Sequence, residues 1–323
     1  MGSTVRTRAQ TEQRPCPRIS LLRATALVLL LAGCAADVID YREADAPAFH
    51  SPDLSSGKSP SLALVLGGGG PRAFAHIGVL KVLEAQGIRP DLIVGTSSGA
   101  FVAVLYAAGS SAAEIERRAL ELSRSDIADY SILSGGALIG QALQDYVNRS
   151  VGQRRIEQLS VPVAIVASRR ASGEAAVFNR GNAGVAVRAS SAQPGSYLPV
   201  RIDGVEYVDG DLSSPVPIQV AHDLGAERII AVDVSQNVSR APAPIWAPPS
   251  WTEEALARRR LIEHEAALAD VIIEPPLPYL VSFDVDYRRM AIATGQQAAL
   301  DALPKLKALQ ASPSAPRALV ETP

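Results

Sequence analysis

Short apolar runs dominated by valine, isoleucine and leucine recur along the chain from residue 61 onward. They are LALVL (62–66), LIV (92–94), VPVAIVA (161–167), RIIAVDV (228–234) and DVII (270–273). Amphipathic stretches separate most of these runs. Runs of this kind, alternating with amphipathic segments, are typical of parallel strands that helices cover on both faces. The pattern therefore predicts an α/β fold with a mostly parallel central sheet.

Three of the intervening segments are candidates for helices. FAHIGVLKVLEAQG stops at Gly87, GAFVAVLYAAG is rich in alanine, and PVPIQVAHDLG has a proline near its start and ends at Gly225. Proline in the first turn and glycine just past the last turn are common at helix ends. A hairpin is predicted within PVRIDGVEYVDGD, where Asp203-Gly204 separates β-prone residues.

Residues 1–33 have the features of an export signal. A stretch with five arginines and one glutamate leads into the apolar run ATALVLLLAGC, which is too short to span a bilayer. Its end, Leu31-Ala32-Gly33-Cys34, resembles the lipobox of bacterial lipoproteins, and the resemblance implies cleavage before Cys34 and attachment of lipid there. The alternative is a buried strand or core helix that ends by chance at a cysteine. We expect a lipid-anchored protein of the bacterial cell envelope, and Ala35, in place of aspartate, favours the outer membrane.

The rest of the chain divides into three parts by composition. Residues 34–60 are polar and are expected to form a flexible tether, residues 61–310 carry the signals of one folded domain, and residues 311–323 are expected to be disordered. Within the domain, the proline-rich segment 241–251 carries both tryptophans, a composition that suits a loop at a lipid interface; ordinary packing of the loop against the domain is the alternative. The formal net charge is −2, and residues 1–33 contribute +4 to it through five arginines and one glutamate. The rest of the chain therefore carries −6, which argues against a nucleic-acid partner.

A candidate nucleophile follows the second apolar run. In DLIVGTSSGAFVAVLYAAG (91–109), Ser97 is at the centre of a G-x-S-x-G pattern, which marks a nucleophile on a sharp turn from strand to helix. A serine hydroxyl needs a group that accepts its proton. Asp209 is one candidate for this base, because it ends the β-prone run in EYVDGD, although an Asp-Gly pair is also a common turn.

The four histidines are the other candidates for the base. His50 lies in the tether, His76 lies in the helix after a glycine run, and His264 lies among charged residues of a solvated helix. A triad histidine belongs on a loop at the carboxyl edge of the sheet. None of the four is expected there, but His222, near the end of its helix, stays open as an alternative.

A glycine run between a strand and a helix is the second chemical signal. It lies in LVLGGGGPRAFAHIGVL (64–80). Glycines let the main chain approach a ligand and direct N–H groups at negative charge. A dinucleotide site is a weak interpretation, because Ala73 replaces the third glycine of G-x-G-x-x-G and no acidic residue ends the next strand. An oxyanion hole is favoured, because the next strand-helix unit carries Ser97.

Three blocks, taken in order, resemble the patatin-like phospholipases. They are Gly68-Gly69-Gly70-Pro71-Arg72, Gly95-Thr96-Ser97-Ser98-Gly99 and Asp209-Gly210, and the similarity covers about residues 61–309. The resemblance implies a three-layer α/β/α patatin-like catalytic domain with a Ser-Asp dyad and no histidine, in which Ser97 attacks and Asp209 accepts the proton. It further implies that N–H groups of Gly69, Gly70 and Ser98 hold the oxyanion. Gly68 is expected to belong to the same oxyanion or binding site, and Arg72 of this loop would bind a phosphate or stabilise the loop.

Two positions depart from the family's pattern. Ala73 stands where the family usually has glycine, and Asp211 stands where it has glycine or alanine. Asp211 is expected to point into solvent. A second carboxylate so near Asp209 nevertheless leaves open that Asp211 tunes the base or is itself the base.

The resulting expectation is a carboxylic ester hydrolase that acts on phospholipids or other acyl esters. No cofactor or metal is expected, because the histidines are scattered and neither H-E-x-x-H nor paired cysteines occur. The alternatives are a soluble-ester or thioester hydrolase with the same dyad, and a non-catalytic envelope lipoprotein that binds lipid. The intact Ser-Asp pair argues against the non-catalytic alternative.

Overall fold

The computed structural model describes Gly2 and residues 39–49, 59–130 and 137–311. Apart from Gly2, the signal-peptide segment of residues 1–33 lies outside the described residues, as do the lipidation site Cys34 and His50. The predicted disordered tail of residues 311–323 also lies outside them, except for Ala311, which ends the last helix.

Nine strands of the described residues form one sheet. They are β1 (Asp40–Tyr41), β2 (Ala63–Leu66), β3 (Leu92–Thr96), β4 (Val163–Arg169), β5 (Ala175–Phe178), β6 (Val200–Ile202), β7 (Val205–Asp209), β8 (Ile229–Val232) and β9 (Val271–Ile273). Their order is β1-β6-β7-β4-β3-β2-β8-β9, and β5 pairs with β4. The five apolar runs form β2, β3, β4, β8 and β9, which pair in parallel. The predicted mostly parallel sheet is confirmed.

Helices cover both faces of this sheet. In the described ranges they are α1 (Phe74–Ala85), α2 (Ser98–Ala107), α3 (Ala112–Glu121), α4 (Gln141–Ser150), α5 (Ala183–Ser190), α6 (Ile218–Asp223), α7 (Pro249–Glu265), α8 (Val285–Asp301) and α9 (Leu303–Ala311). Successive residues of a strand face opposite sides of a sheet. In β2, Leu64 and Leu66 join a core cluster with α1 to α5, α8 and α9, whereas Ala63 and Val65 join a second cluster with α6 and α7. The three-layer α/β/α architecture is confirmed. Across the described residues, no helix has both the length and the apolar character that a membrane crossing requires.

β6 and β7 form an antiparallel hairpin, and β7 adds to the edge of the parallel strands by pairing antiparallel with β4. Asp203 and Gly204 form its turn, with φ values of 49° and 78°. Two residues with positive φ are what a type I′ turn between strands requires, so the hairpin prediction is confirmed. β7 runs antiparallel to β4 and ends at Asp209.

Residues 39–49 belong to the folded domain, which corrects the boundary of the tether. β1 pairs in parallel with β6. Tyr41 is buried, and its hydroxyl donates to Gln144 at 2.8 Å. The prediction of a flexible tether over residues 34–60 is therefore wrong for this stretch. A two-residue edge strand has no hydrophobic period of its own, and its pairing with β6 determines its structure.

Candidate active site

The ends of β3 and β7 meet along one edge of β4. On β4, residues up to Val166 pair with β3 and residues from Ala167 onward pair with β7. β5 pairs with β4 residues 165–168, on the opposite edge from both β3 and β7. β3 and β7 therefore lie end to end along one edge of β4. Thr96 lies opposite Val166, and Asp209 lies opposite Ala167. The register therefore places Ser97, the residue after Thr96, beside Asp209.

Ser97 has a strained backbone, with φ of 53° and ψ of −127°. Such a conformation costs a residue with a side chain about 1–3 kcal/mol. The flanking glycines make room for the turn. A Cβ on Gly95 would lie only 2.6 Å from the Cα of Ala100, and a Cβ on Gly99 would collide with the carbonyl oxygen of Leu66. The close approach of α2 to β2 and β3 therefore requires glycine on both sides of the Thr-Ser-Ser segment.

Ser190, the last residue of α5, fixes the main chain of this turn. The N–H of Ser97 donates to the Ser190 hydroxyl at 2.7 Å, and that hydroxyl donates to the carbonyl of Val166 on β4. All three residues are buried, so the strained N–H has a partner without help from solvent. Sequence reasoning missed Ser190, because a serine in the stretch VRASSAQPG carries no local sign of a contact with a turn so distant in the chain.

The carboxylate of Asp209 receives two hydrogen bonds. The Ser97 hydroxyl donates to Oδ2 at 2.8 Å, and the main-chain N–H of Asp211 donates to Oδ1 at 2.9 Å. The main chain of Asp209 is also held, since its N–H donates to the carbonyl of Ala192 and its carbonyl accepts from the Ser168 hydroxyl. Both carboxylate oxygens therefore have a fixed direction, and one of them faces the Ser97 hydroxyl.

Burial raises the pKa of Asp209 to about 8, since only 5% of the residue is exposed. The negative charge of Asp211 acts in the same direction, whereas the two hydrogen bonds and the charge of Arg258 lower the pKa. A carboxylate of ordinary acidity is a weak proton acceptor near neutral pH. The surroundings of Asp209 move its pKa toward the range in which general bases work.

His76 and His222 make their contacts away from the Ser97 hydroxyl. His76 is fully buried, and its Nε2 lies 2.8 Å from the carbonyl oxygen of Gly67. Burial lowers the pKa of His76 to about 4, so its ring is neutral at physiological pH and Nε2 donates to that carbonyl. His222 lies 3.3 Å from Asp223. The alternative triad through His222 receives no support from this geometry. Within the described ranges, no group of three or more histidine, cysteine, aspartate or glutamate side chains could hold a metal ion.

Gly68 lies directly against Ser97. A Cβ on Gly68 would come within 3.1 Å of the Ser97 Cβ and would collide with the carboxylate of Asp211. The N–H of Gly68 donates to the carbonyl of Pro215 at 2.9 Å, which leaves this N–H unavailable to an oxyanion. Gly68 therefore contributes to the site through the absence of a side chain.

Gly69, Gly70 and Ser98 are the remaining oxyanion candidates. The N–H of Gly69 donates to the Ser98 hydroxyl at 3.2 Å, a weak bond that links the glycine run to the first turn of α2. Gly70 has a φ of 57° and begins a short 3₁₀ turn that leads into α1. Ala73, where the family usually has glycine, has a φ of −61°. A side chain at this position therefore causes no backbone strain.

Arg72 ties the glycine run to two other segments of the chain. Its guanidinium donates to the carbonyl of Tyr279 at 2.6 Å and to the side-chain oxygen of Gln236. Gln236 in turn donates to the carbonyl of Ala241 at 3.1 Å, at the start of the proline-rich segment. Burial lowers the pKa of Arg72. Of the two roles predicted for Arg72, phosphate binding and loop stabilisation, these contacts favour loop stabilisation.

Asp211 does not point into solvent, which corrects the expectation for this side chain. Its Oδ2 forms an ion pair with Nε of Arg258 on α7 at 2.7 Å, and 15% of its side chain is exposed. Burial raises the pKa of Asp211, and the charge of Arg258 lowers it. The Ser97 hydroxyl bonds to Asp209 and not to Asp211, so the geometry favours Asp209 as the base. Arg258 escaped sequence reasoning because it is one of three successive arginines on a charged helix.

Comparison with known proteins identifies the family. Residues 64–222 match the family model described as patatin-like phospholipase. An uncharacterized NTE family protein of Mycobacterium tuberculosis is 38% identical over 216 residues, which are 66% of this chain and 59% of that protein. Human patatin-like phospholipase domain-containing protein 6 is 36% identical over 186 residues, which are 55% of this chain and 14% of that protein. The chain belongs to the patatin-like phospholipase family, and it spans less than two thirds of the length of these relatives.

Two solved structures match this chain at low sequence identity. The crystal structure of VipD from Legionella pneumophila matches with a TM-score of 0.45 and 13% identity, over 85% of this chain and 72% of that chain. ExoU from Pseudomonas aeruginosa, solved with SpcU, matches with a TM-score of 0.44 and 14% identity, over 79% of this chain and 54% of that chain.

Proposed function

We propose that the chain is a serine lipid acyl hydrolase of the phospholipase A, lysophospholipase or esterase type. The observation that carries the proposal is the 2.8 Å hydrogen bond from the Ser97 hydroxyl to a carboxylate oxygen of Asp209, at a strained strand-to-helix turn. The family membership of residues 64–222 supports an ester of a lipid as the substrate.

In the proposed reaction, the Ser97 oxygen attacks the carbonyl carbon of the ester while its proton passes to Oδ2 of Asp209. The tetrahedral intermediate collapses, the C–O bond to the alcohol breaks, and the alcohol leaves with that proton. Water then attacks the acyl-enzyme, gives its proton to Asp209, and releases the fatty acid and the Ser97 hydroxyl. Main-chain N–H groups of Gly69, Gly70 and Ser98 are the proposed donors to the oxyanion at each tetrahedral stage.

The test is lipid mass spectrometry of defined phospholipids incubated with the purified protein, together with kinetics on p-nitrophenyl butyrate. We expect wild type to release fatty acid, and both Ser97→Ala and Asp209→Asn to lose several orders of magnitude in turnover. A fluorophosphonate probe should label wild type and fail to label Ser97→Ala. Equal labelling of the two proteins would place the nucleophile elsewhere, with Ser98 the first residue to examine.

His222→Ala is the matched control for the choice of base. It should retain wild-type turnover, because His222 contacts Asp223 rather than Ser97. A loss as large as that of Asp209→Asn would favour a triad. A strong preference for an acyl thioester over every phospholipid tested would favour the thioester hydrolase.

We further propose that the chain is exported and lipid-anchored at Cys34, in the bacterial outer membrane. The support is the arginine-rich start, the short apolar run and the sequence Leu31-Ala32-Gly33-Cys34. An anchored enzyme meets membrane lipid at a high effective concentration.

A further inference from the structure

Asp209 shares one short turn with a second carboxylate. Gly210–Leu212 forms a single 3₁₀ turn directly after β7, and the N–H of Asp211 donates to Asp209 Oδ1 within it. Both side chains are largely withdrawn from solvent. One oxygen of Asp211 has no hydrogen-bond partner in the part of the chain that the structure describes. A second negative charge is therefore held close to the proposed base.

Helix α7 supplies the cation that faces this second charge. Arg258 is 21% exposed, and its Nε lies 2.7 Å from Asp211 Oδ2. The next residue, Arg259, pairs with Asp233 at the end of β8 and with Glu274. Arg259 therefore fixes the helix against the sheet, and Arg258 faces the active site from that fixed helix.

Two further charged groups within the described residues act on Asp211. Asp233 repels Asp211 from the β8 side, and Arg72 attracts it from the glycine run. Burial raises the pKa of Tyr197, and the negative charge of Asp209 acts in the same direction. Arg72 uses its guanidinium in bonds to Tyr279 and Gln236. Arg258 is thus the cation that makes a direct ion pair with Asp211.

We propose that Asp211 and Arg258 form a positioning pair that tunes Asp209. In this pair, the Asp211 carboxylate adds a repelling charge beside Asp209, and Arg258 neutralises that charge from α7. The inference rests on the proposed role of Asp209 as the base.

The two members of the pair act on Asp209 in opposite directions. Loss of the Arg258 charge leaves Asp211 uncompensated, which favours the protonated form of Asp209 and raises the pH needed for activity. Loss of the Asp211 charge removes the repulsion and frees Arg258 to act on Asp209, which lowers that pH. A pair with a merely structural role would reduce turnover in both variants without this divergence.

The experiment measures kcat/KM for p-nitrophenyl butyrate against pH in full-length protein. We expect the midpoint of the rising limb to move up by about one pH unit in Arg258→Gln, with about a tenfold loss near pH 7. In Asp211→Asn the midpoint should move down by about one unit. The double variant should return close to the wild-type midpoint. Arg258→Lys, which keeps the charge, should stay close to wild type, as should Arg260→Gln, which removes an exposed arginine from the same helix.

The outcomes separate this inference from the proposed function. If Ser97→Ala is inactive but Arg258→Gln and Asp211→Asn share the wild-type midpoint, or shift in the same direction, the positioning pair is refuted and the hydrolase stands. If Ser97→Ala keeps full activity, the proposed function itself fails. Should Arg258→Gln not fold, as judged by circular dichroism, the downward shift in Asp211→Asn still decides the question, because that change keeps the shape of the side chain.

Discussion

Asp209→Asn should abolish turnover and, at the same time, stabilise the fold more strongly as the pH rises. The amide has nearly the shape of the carboxylate. Its oxygen can accept from the Asp211 N–H, and its nitrogen can donate to the Ser97 hydroxyl, which reverses the present direction of that bond. Both hydrogen bonds are therefore kept, and the variant differs from wild type mainly by the group that titrates.

The magnitude follows from the pKa of Asp209, which burial raises from an ordinary value of 3.8 to about 8. Between these two pH values, the folded protein keeps a proton that the unfolded chain has released. The free energy of unfolding of wild type therefore falls by about 1.4 kcal/mol per pH unit from this group alone. Asparagine has no such group. The stability advantage of Asp209→Asn should therefore grow by about 4 kcal/mol over three pH units, from pH 5 to pH 8.

Urea unfolding followed by circular dichroism at several pH values measures this difference. Asp203→Asn is the matched control, because Asp203 is exposed in the hairpin turn and has the positive φ that asparagine tolerates. The control should differ from wild type by the same small amount at every pH. A difference between Asp209→Asn and wild type that is independent of pH would refute the reasoning, since Asp209 would then be ionised in the folded protein throughout this range.

Three further predictions concern the turn and the membrane. Ser190→Ala should lower kcat about tenfold, because the buried N–H of Ser97 loses its acceptor at a cost of about 1–3 kcal/mol. Unchanged steady-state kinetics would show that the turn keeps its conformation without Ser190. Trp246→Ala and Trp251→Ala should weaken co-sedimentation with phospholipid vesicles, since these side chains are 62% and 43% exposed; tryptophan emission of wild type that stays constant on adding vesicles would count against this. Cys34→Ser should leave kinetics on a water-soluble ester unchanged and reduce hydrolysis of membrane phospholipid in cells, whereas equal loss on both substrates would mean that the anchor serves folding or export.

The strands of the core could be predicted from sequence because each is a continuous apolar run buried on both faces. The hairpin turn could be predicted because Asp203-Gly204 has a strong intrinsic preference for positive φ. β1 and β5 could not be predicted. β1 is only two residues long, and β5 is the short run AAVF, so their positions depend on the strands with which they pair.

The proposed nucleophile and base are recognisable because each lies within a short local pattern of glycines. The glycines are required by local sterics: a Cβ on Gly210 would collide with the carbonyl of Val166, just as one on Gly99 would collide with that of Leu66. Ser190 and Arg258 have no such local constraint. Ser190 and Arg258 contact the site only because the fold packs α5 and α7 against it. A sequence pattern within one segment cannot predict such long-range contacts.

The junction of β3, β4 and β7 suggests how Asp209, as the proposed base, can take the role that histidine has in serine hydrolases with a catalytic triad. Histidine titrates near neutral pH without help, whereas a free aspartate does not. The hairpin brings Asp209 into the sheet beside Ser97, and the resulting burial raises its pKa to about 8. The same burial destabilises the fold at every pH at which the proposed base is ionised, and the hydrogen bonds from Asp211 and Ser97 limit that cost. Basicity and stability therefore oppose each other at Asp209, and for this reason the loss of activity and the gain in stability of Asp209→Asn are expected to have one cause.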